Sequence, residues 1–488
     1  MKETRLARLA LVTGPAVGLG AIAIARLGLG PSGLPAGAFA VAGITVWVAT
    51  WWIAECLPVA ATSMLPVLLL PLAGVLDSTK VAGAYMDRFL LLMMAGFMAA
   101  LAVERWGLHR RFAIGILTRV GASPRRLVLG MLCATAVPSM WISNTAATLI
   151  MLPIGLALLS RLEDDSPDPV AFSRFSATLC LAIAYGASIG GIATPIGTPP
   201  NLIYLGALGQ RFGATPSFLE WMRVGVPIVL VMVTLLFLYF DRFVGLPAAT
   251  PTTSRAVLLE ERQRLGPMTA EERRVALIFG AMVVLWITRR IDLGEDGTVG
   301  WASLLGLDRT VDDSTVAVFG TTLLFLCPAP SRPGERLLDW PTAVRIPWEV
   351  VLLFGGGLAL AKGFEVSGLS RAIGERLTGL FGFHPLLMML AINLCVTFLT
   401  EVTSNTAITT LLMPILAPFA VQAGVRPEYV MLPAAISASC AFMLPVATAP
   451  NAIVYGSGKI PVSFMVRTGI WLNVVSVFVI AALVWLLA

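Results

Sequence analysis

The chain has 488 residues, 57% hydrophobic and only 13% charged, with a formal net charge of +6. A soluble domain carries roughly 25% charged residues, so the composition excludes an ordinary soluble protein. Long apolar runs that do not alternate exclude a β-barrel, and two histidines with six scattered cysteines leave metal catalysis little to work with.

An all-α polytopic membrane protein follows, because only helices and closed barrels satisfy their backbone in lipid. The first apolar run, Leu9 to Leu29, follows Lys2, Arg5 and Arg8 in the manner of a signal peptide. It is too long and no small-residue cleavage site follows it, so residues 1–30 read as a retained first span. A second run, Ala36 to Ile53, carries Trp47, Trp51 and Trp52, which read as an interfacial aromatic belt. Glu55, next to it, reads as an interfacial or helix-packing residue. The six cysteines (Cys56, Cys133, Cys180, Cys327, Cys395, Cys440) read as small buried hydrophobes.

The segment 104–126 then carries six arginines, and 34 uncharged residues separate Arg126 from Arg161. That is more than one span and less than two, the length of a re-entrant helical hairpin over about 127–160 with Ser143-Asn144-Thr145 at its tip. Next comes a helix, about 174–212, that Pro195, Pro199 and Pro200 must break. The run Val226 to Phe240 completes this half, and a polar, proline-punctuated linker over 247–274 follows.

After the linker the chain repeats itself. Of the twelve residues from Ser143 to Ile154, seven recur identically 261 positions later in Ser404 to Ile415. Glu104, Gly107, Leu108 and Arg110 recur at the same offset as Glu365, Gly368, Leu369 and Arg371. Pro195, Thr198, Pro200, Asn201 and Ile203 match Pro445, Thr448, Pro450, Asn451 and Ile453 at an offset of 250, and Arg223 and Gly225 echo in Arg467 and Gly469. The second half, 275–488, therefore holds its own hairpin, about 385–421, and its own broken helix, about 430–460. The run Ile470 to Ala488 closes it.

Charge sets the relative orientation of the halves. Against six arginines in 104–126, the matching segment 365–387 has two, Arg371 and Arg376, while the linker has five. The first segment and the linker belong at the cytoplasmic face and 365–387 outside. The expectation is two inverted repeats, 31–246 and 275–488, and about eleven transmembrane helices. The N-terminus lies inside and the C-terminus outside. The same loop pattern accounts for the basic residues, so no nucleic acid is implied.

Irregular backbone at membrane depth survives only where it is buried in protein or lines a wet cavity. Ser, Asn and Thr oxygens suit small cations, their protons suit anions, and broken helices meeting near the midplane are the build of a secondary transporter. An intramembrane enzyme would need a nucleophile with a base, or paired carboxylates. The regions 139–148, 194–203, 400–409 and 444–453 hold one ionisable residue, Glu401. A channel would need a pore, usually between symmetric subunits, whereas this duplication lies within one chain.

These residues also resemble a known family. "LLFGGGLALAKGFEVSGL" from Leu352, "TEVTSNTAITTLLMPIL" from Thr400, "SCAFMLPVATAPNAIVYGSG" from Ser439 and "GGIATPIGTPPN" from Gly190 are similar to signatures of the divalent anion/sodium symporter (DASS) family. The resemblance covers nearly the whole chain after the first span. It implies sodium-coupled symport of a divalent anion, a C4-dicarboxylate such as succinate, malate or fumarate, by an elevator movement. The alternative within the same fold is sodium-independent dicarboxylate or citrate/succinate exchange. It implies a homodimer in the bacterial inner membrane, with discontinuous scaffold and transport domains and two or more sodium ions. Carried onto this chain, one sodium site is Ser139, Ser143, Asn144 and the backbone at Gly197. The other is Thr400, Ser404, Asn405 and the backbone at Ala447. The anion lies on Ser143, Asn144, Thr145, Ser404, Asn405, Thr406, Thr198 and Thr448.

The chain departs from the family at Ala449, where a second proline is usual. Two roles are open to Glu401, proton coupling or a structural acceptor for hairpin backbone; its place in the motif TExxSNT implies the second. The four motif regions contain no Lys or Arg, so bound cations are the expected countercharge for a dianion.

Overall fold

The computed structural model describes residues 5–31, 33–121, 123–163, 168–213, 215–245, 253–292, 297–376 and 384–488. Almost all of it is helix; the one strand pair among the described residues is Ile291–Asp292 against Thr298–Val299. Nine helices among the described residues are long and apolar enough to span a membrane, from Ala7–Arg26 to Val462–Leu487. Shorter apolar helices, including Asp313–Leu326 and Pro385–Leu399, pack among them.

The first hairpin runs up Pro124–Ser139, turns through Met140 to Ser143, and returns along Asn144–Glu163. The second rises along Pro385–Leu399 and returns along Asn405–Gln422. Behind the first lies Pro169–Gly190, whose apolar window is buried throughout. It can approach because Gly186 and Gly190 face the other helix, where a Cβ would press on Leu132 O and overlap Ala136. Small residues at i and i+4 allow this backbone-on-backbone packing.

Both helices behind the hairpins are broken where the prolines demand. The first passes through a tight turn, Gly191–Ala193, before resuming at Pro199–Phe212; the second stops at Ala438 and resumes at Ala449–Tyr455. The last helix of each half presses on the break beside it through a glycine. A Cβ on Gly225 would crowd Ile192 O and Ala193 O, and one on Gly469 would overlap Phe442 O. The paired glycines noticed in the sequence are thus paired contacts.

Four expectations change. The Trp cluster is no interfacial belt: Trp47, Trp51 and Trp52 are buried. Trp47 and Trp51 stack against Gly14 and Gly18 of the first helix, and Trp51 Nε1 donates to Ala10 O at 2.8 Å. The rings fill the seam that those glycines leave open. Residues 247–274 are not a plain linker, for they include helix Thr253–Arg264, and the next helix begins at Ala270. A reciprocal cap between Thr269 and Glu272 starts it there. Cys395 is exposed rather than buried, while Cys56, Cys180 and Cys440 are buried as expected. Glu55, finally, borders the central cavity, as described below. The loop around Gly379, at the expected outer face, lies outside the described residues.

Helix Trp348–Ser367 crosses next to helix Pro199–Phe212 and the returning helix of the second hairpin. Its three consecutive glycines each serve a different neighbour: a Cβ on Gly355 would meet Tyr85, one on Gly356 the Ser63 carbonyl, and one on Gly357 Thr410 of the second hairpin. Overpacking of this kind typically costs about 1–3 kcal/mol. Gly357→Val is therefore expected to lower uptake by purified, folded protein far more than its thermal stability, because it obstructs the seam against the hairpin. Uptake equal to the parent's would refute that.

Candidate functional site

Each hairpin tip is knitted by the same hydrogen bonds. Ser139 Oγ lies 2.8 Å from both Asn144 Oδ1 and Ala187 O. Thr400 Oγ1 takes the equivalent place between Asn405 Oδ1 and Ala438 O. Ser143 and Ser404 cap the returning helices by accepting from Ala146 N and Ala407 N. The caps explain why each helix starts where the serine stands.

The breaks are held in the same symmetric way. Asn201 Nδ2 donates to Gly191 O at 3.0 Å and Thr194 O at 2.8 Å. Asn451 Nδ2 donates to Ala441 O and Leu444 O, both at 3.0 Å. Each asparagine thus bridges two carbonyls that the unwound turn leaves without helical partners. Both are fully buried, and each carboxamide oxygen is without a partner among the described residues.

Tip and break are joined differently in the two halves. In the first, Thr194 Oγ1 donates to Met140 O. In the second, the residue matching Met140 is Glu401, whose carboxylate accepts from Phe442 N (2.7 Å), Met443 N (2.9 Å), Leu444 N (3.0 Å) and Asn473 Nδ2 (2.7 Å). The expectation that Glu401 accepts from backbone holds, but the backbone belongs to the break, not the hairpin. The first break coils into a 3₁₀ turn, whereas Cys440 to Leu444 form no helix and offer bare amides. A carboxylate meets that need.

One cavity of about 930 Å³ lies between the tips. Ser143, Asn144, Thr145, Gly197, Thr198, Ser404, Asn405, Thr406, Ala447 and Thr448 all border it. Ser139 and Thr400 do not: they are fully buried and act on Asn144 and Asn405 from behind. Four helices begin at its wall, at Asn144, Pro199, Asn405 and Ala449. Their N-termini carry partial positive charge. Pro199 and Pro200 have no N–H to offer; Ala449, in the place where the family has proline, keeps one.

Sequence reasoning missed the far wall. Trp52, Glu55, Glu104, Arg345 and Glu349 also border the cavity. Arg345 is its single Lys or Arg among the described residues, brought in from outside the four motif regions. Glu55 ends helix Ala36–Ala54 with φ +46°, the one positive φ at a non-glycine among the described residues. No signal in the sequence linked these four charges to the hairpins, because they stand on three segments apart from them in the chain: the end of Ala36–Ala54, helix Arg88–Arg105, and the turn and first residues leading into Trp348–Ser367.

The cavity wall includes Glu104, next to Arg105 on the arginine-rich face. There Arg105 pairs with Glu335 (2.6 Å) and Asp339 (2.7 Å), Arg110 with Glu261 and Arg111 with Glu272, both at 2.8 Å. Bonds from Thr342, with Arg105 beside it, hold the Asp339 carboxyl below the usual carboxylate range. At the opposite end, helix Trp348–Ser367 and helix Pro199–Phe212 close together through an Arg211–Glu365 pair at 2.8 Å.

Known proteins resemble this chain along nearly its whole length. Residues 17–487 match the family described as sodium:sulfate symporter transmembrane region. The sodium-dependent dicarboxylate transporter SdcS of Staphylococcus saprophyticus is 43% identical over 453 residues, 92% of this chain and 85% of that one. Its counterpart from Staphylococcus aureus strain USA300 is 42% identical over 466 residues, 93% and 87%. Two solved structures share the fold at 14% identity and a TM-score of 0.57. They are the Alcanivorax borkumensis YdaH transporter, matched over 88% of this chain and 98% of that one, and Neisseria gonorrhoeae MtrF, over 89% and 96%. With nine described helices long and apolar enough to span a membrane, a cavity between paired hairpin tips and relatives that are carriers rather than enzymes, the chain belongs to the divalent anion/sodium symporter family, a family of multi-pass membrane transporters.

Proposed function

We propose that this protein carries a C4-dicarboxylate such as succinate, malate or fumarate into the cell together with sodium, by elevator-type alternating access. The observation that carries the reading is the convergence of both Ser-Asn-Thr tips and both broken-helix turns on one cavity. The anion would rest on Ser143, Asn144, Thr145, Thr198, Ser404, Asn405, Thr406 and Thr448. One sodium would sit at Ser139, Ser143, Asn144 and the Gly197 backbone, the other at Thr400, Ser404, Asn405 and the Ala447 backbone. These are hard oxygen donors, matched to a small cation. The Asn144 side chain, the Gly197 carbonyl and Gly191 already crowd one another at the first of them. The relatives' description as sodium-dependent dicarboxylate transporters supports the same reading.

The moving part would hold both hairpins and both broken helices; the scaffold, paired in a homodimer, would hold the rest. Two inverted repeats and about eleven spans fit the paired bonds of the two halves. The arginine-rich face would be cytoplasmic in a bacterial inner membrane, with the N-terminus inside and the C-terminus outside. The conformation described here would then be open inward. Cysteines test the orientation: Arg264→Cys should react only from the cytoplasm and Arg371→Cys only from outside. Reaction of both from one side would overturn the inverted arrangement.

Uptake of labelled succinate into proteoliposomes tests the function itself. An inward sodium gradient should drive accumulation, and malate and fumarate should compete better than citrate, tartrate or sulfate. Equal uptake without sodium, dependent on internal dicarboxylate, would replace the symporter with the exchanger.

A further inference from the structure

Glu104 and Glu365 occupy the same place in the two halves. Each lies near the C-terminal end of its helix, Arg88–Arg105 or Trp348–Ser367, shortly before a glycine of positive φ, Gly107 or Gly368. Their surroundings differ completely. Glu365 is paired with Arg211, in the last turn of the helix that follows the first break. Glu104 makes no ion pair among the described residues and stands on the wall of the open cavity.

A lysine stands near the corresponding place in the second half, two positions before Pro461, which matches Arg211 at the offset of 250. Lys459 follows the end of Ala449–Tyr455, the helix after the second break. It lies on the arginine-rich face with Glu104, but its partner is Glu163 at the base of the first hairpin, 3.3 Å away. Glu163 belongs with Lys459 to the part that would move. Glu104 belongs to the part that would not. So one of two comparable cross-seam pairs is made, at the closed end, and the other is unmade, at the open end.

The rest of the closed end agrees. Gln210 Nε2 donates to Leu358 O and Gln422 Nε2 to Arg371 O, both at 3.2 Å, joining the broken helix and the second hairpin to their neighbours. No side-chain hydrogen bond or ion pair among the described residues joins Glu104 to the first hairpin or the second break. If the halves are related by inversion, reversing the carrier exchanges the environments of their equivalent residues.

We propose that Arg211–Glu365 and Lys459–Glu104 form one two-position ion-pair switch. The first pair holds the state open at the arginine-rich face. The second forms when the carrier opens to the other side, as Lys459 leaves Glu163 for Glu104. The proposal rests on the elevator reading above. Arg211 and Glu365 are half-exposed, and pairs of that kind are worth little, so each should bias the equilibrium about two- to fivefold rather than lock it.

The test uses the full chain in proteoliposomes with Cys395→Ser and a reporter, Leu149→Cys, exposed on the cavity wall. An impermeant maleimide is applied at the arginine-rich side, and labelling of the parent without the reporter is subtracted. Sodium with succinate should change the parental rate. R211Q and E365Q should each slow labelling about two- to fivefold, and R211E with E365R should restore it. In the R211Q background, adding E104Q should return labelling towards the parental rate, since the competing state loses its pair; E104K with K459E should keep it slow. R211Q and E365Q labelling at the parental rate would overturn the switch while leaving the carrier intact. Slow R211Q labelling that E104Q does not relieve would overturn its second position. A parental rate deaf to both sodium and succinate would overturn the carrier reading, and the switch with it.

Discussion

Glu401→Gln is expected to destabilise the protein clearly and yet leave the pH profile of transport where it was. Four donors face the carboxylate: three consecutive amides of the second break and the Asn473 carboxamide. A glutamine offers one oxygen, and its NH2 must point at an N–H that previously donated. An unmade hydrogen bond of this kind in a buried place costs about 1–3 kcal/mol, and Glu401 is only 3% exposed. The first consequence is a lower unfolding temperature of the purified protein. The second is a looser turn at Phe442 to Leu444, which should reduce uptake by the folded remainder. The group acts on the break from behind and does not border the cavity, so the dependence of uptake on a pH gradient should match the parent's. A variant that transports but has lost a pH response that the parent possesses would make Glu401 a proton carrier.

The hairpins, the breaks and their order were legible because the chain states them twice. A single Ser-Asn-Thr in an apolar run has an ordinary packing explanation; a second copy followed by a proline does not. Even the side-chain bonds follow the repeat, with Ser139 and Thr400, or Asn201 and Asn451, doing the same work at equivalent places. What differs between the halves was not legible. Met140 and Glu401 look like an arbitrary exchange until the 3₁₀ turn of one break and the uncoiled backbone of the other are compared. Nor could the sequence say that Trp47 and Trp51 meet Gly14 and Gly18, because an amphipathic ring suits an interface as well as a helix seam. Arg345 escaped for a different reason. It stands in the turn before helix Trp348–Ser367, and hydropathy does not say where that turn lies relative to the tips.

The same charges bear on the last expected result: Asn144→Ala and Asn405→Ala should each weaken sodium and substrate binding together. The cavity wall carries Glu55, Glu104 and Glu349 against Arg345 alone. A dianion entering it meets a net negative surround. Four helix N-termini oppose this, each contributing about 0.3–1 kcal/mol and up to ~2 when partly buried. Pro199 and Pro200 silence part of one of them and Pro450 part of another. Burying a charge without a partner costs much more than that sum. Sodium at the two tips would supply what is missing, and Asn144 Oδ1 and Asn405 Oδ1 are side-chain oxygens already held in place there by Ser139 and Thr400. Removing either oxygen should raise the sodium concentration needed for half-maximal binding. Substrate affinity should fall with it, by the about 5- to 150-fold typical of a coupling of 1–3 kcal/mol. Linkage demands reciprocity: succinate should tighten sodium in the parent by the factor by which sodium tightens succinate. Binding to the purified protein is measured across sodium concentrations, with choline holding ionic strength constant. Substrate affinity that ignores sodium in the parent would exclude coupling at the tips. Arg345 would then be the first residue to replace, since it is the one cationic side chain on the cavity wall among the described residues.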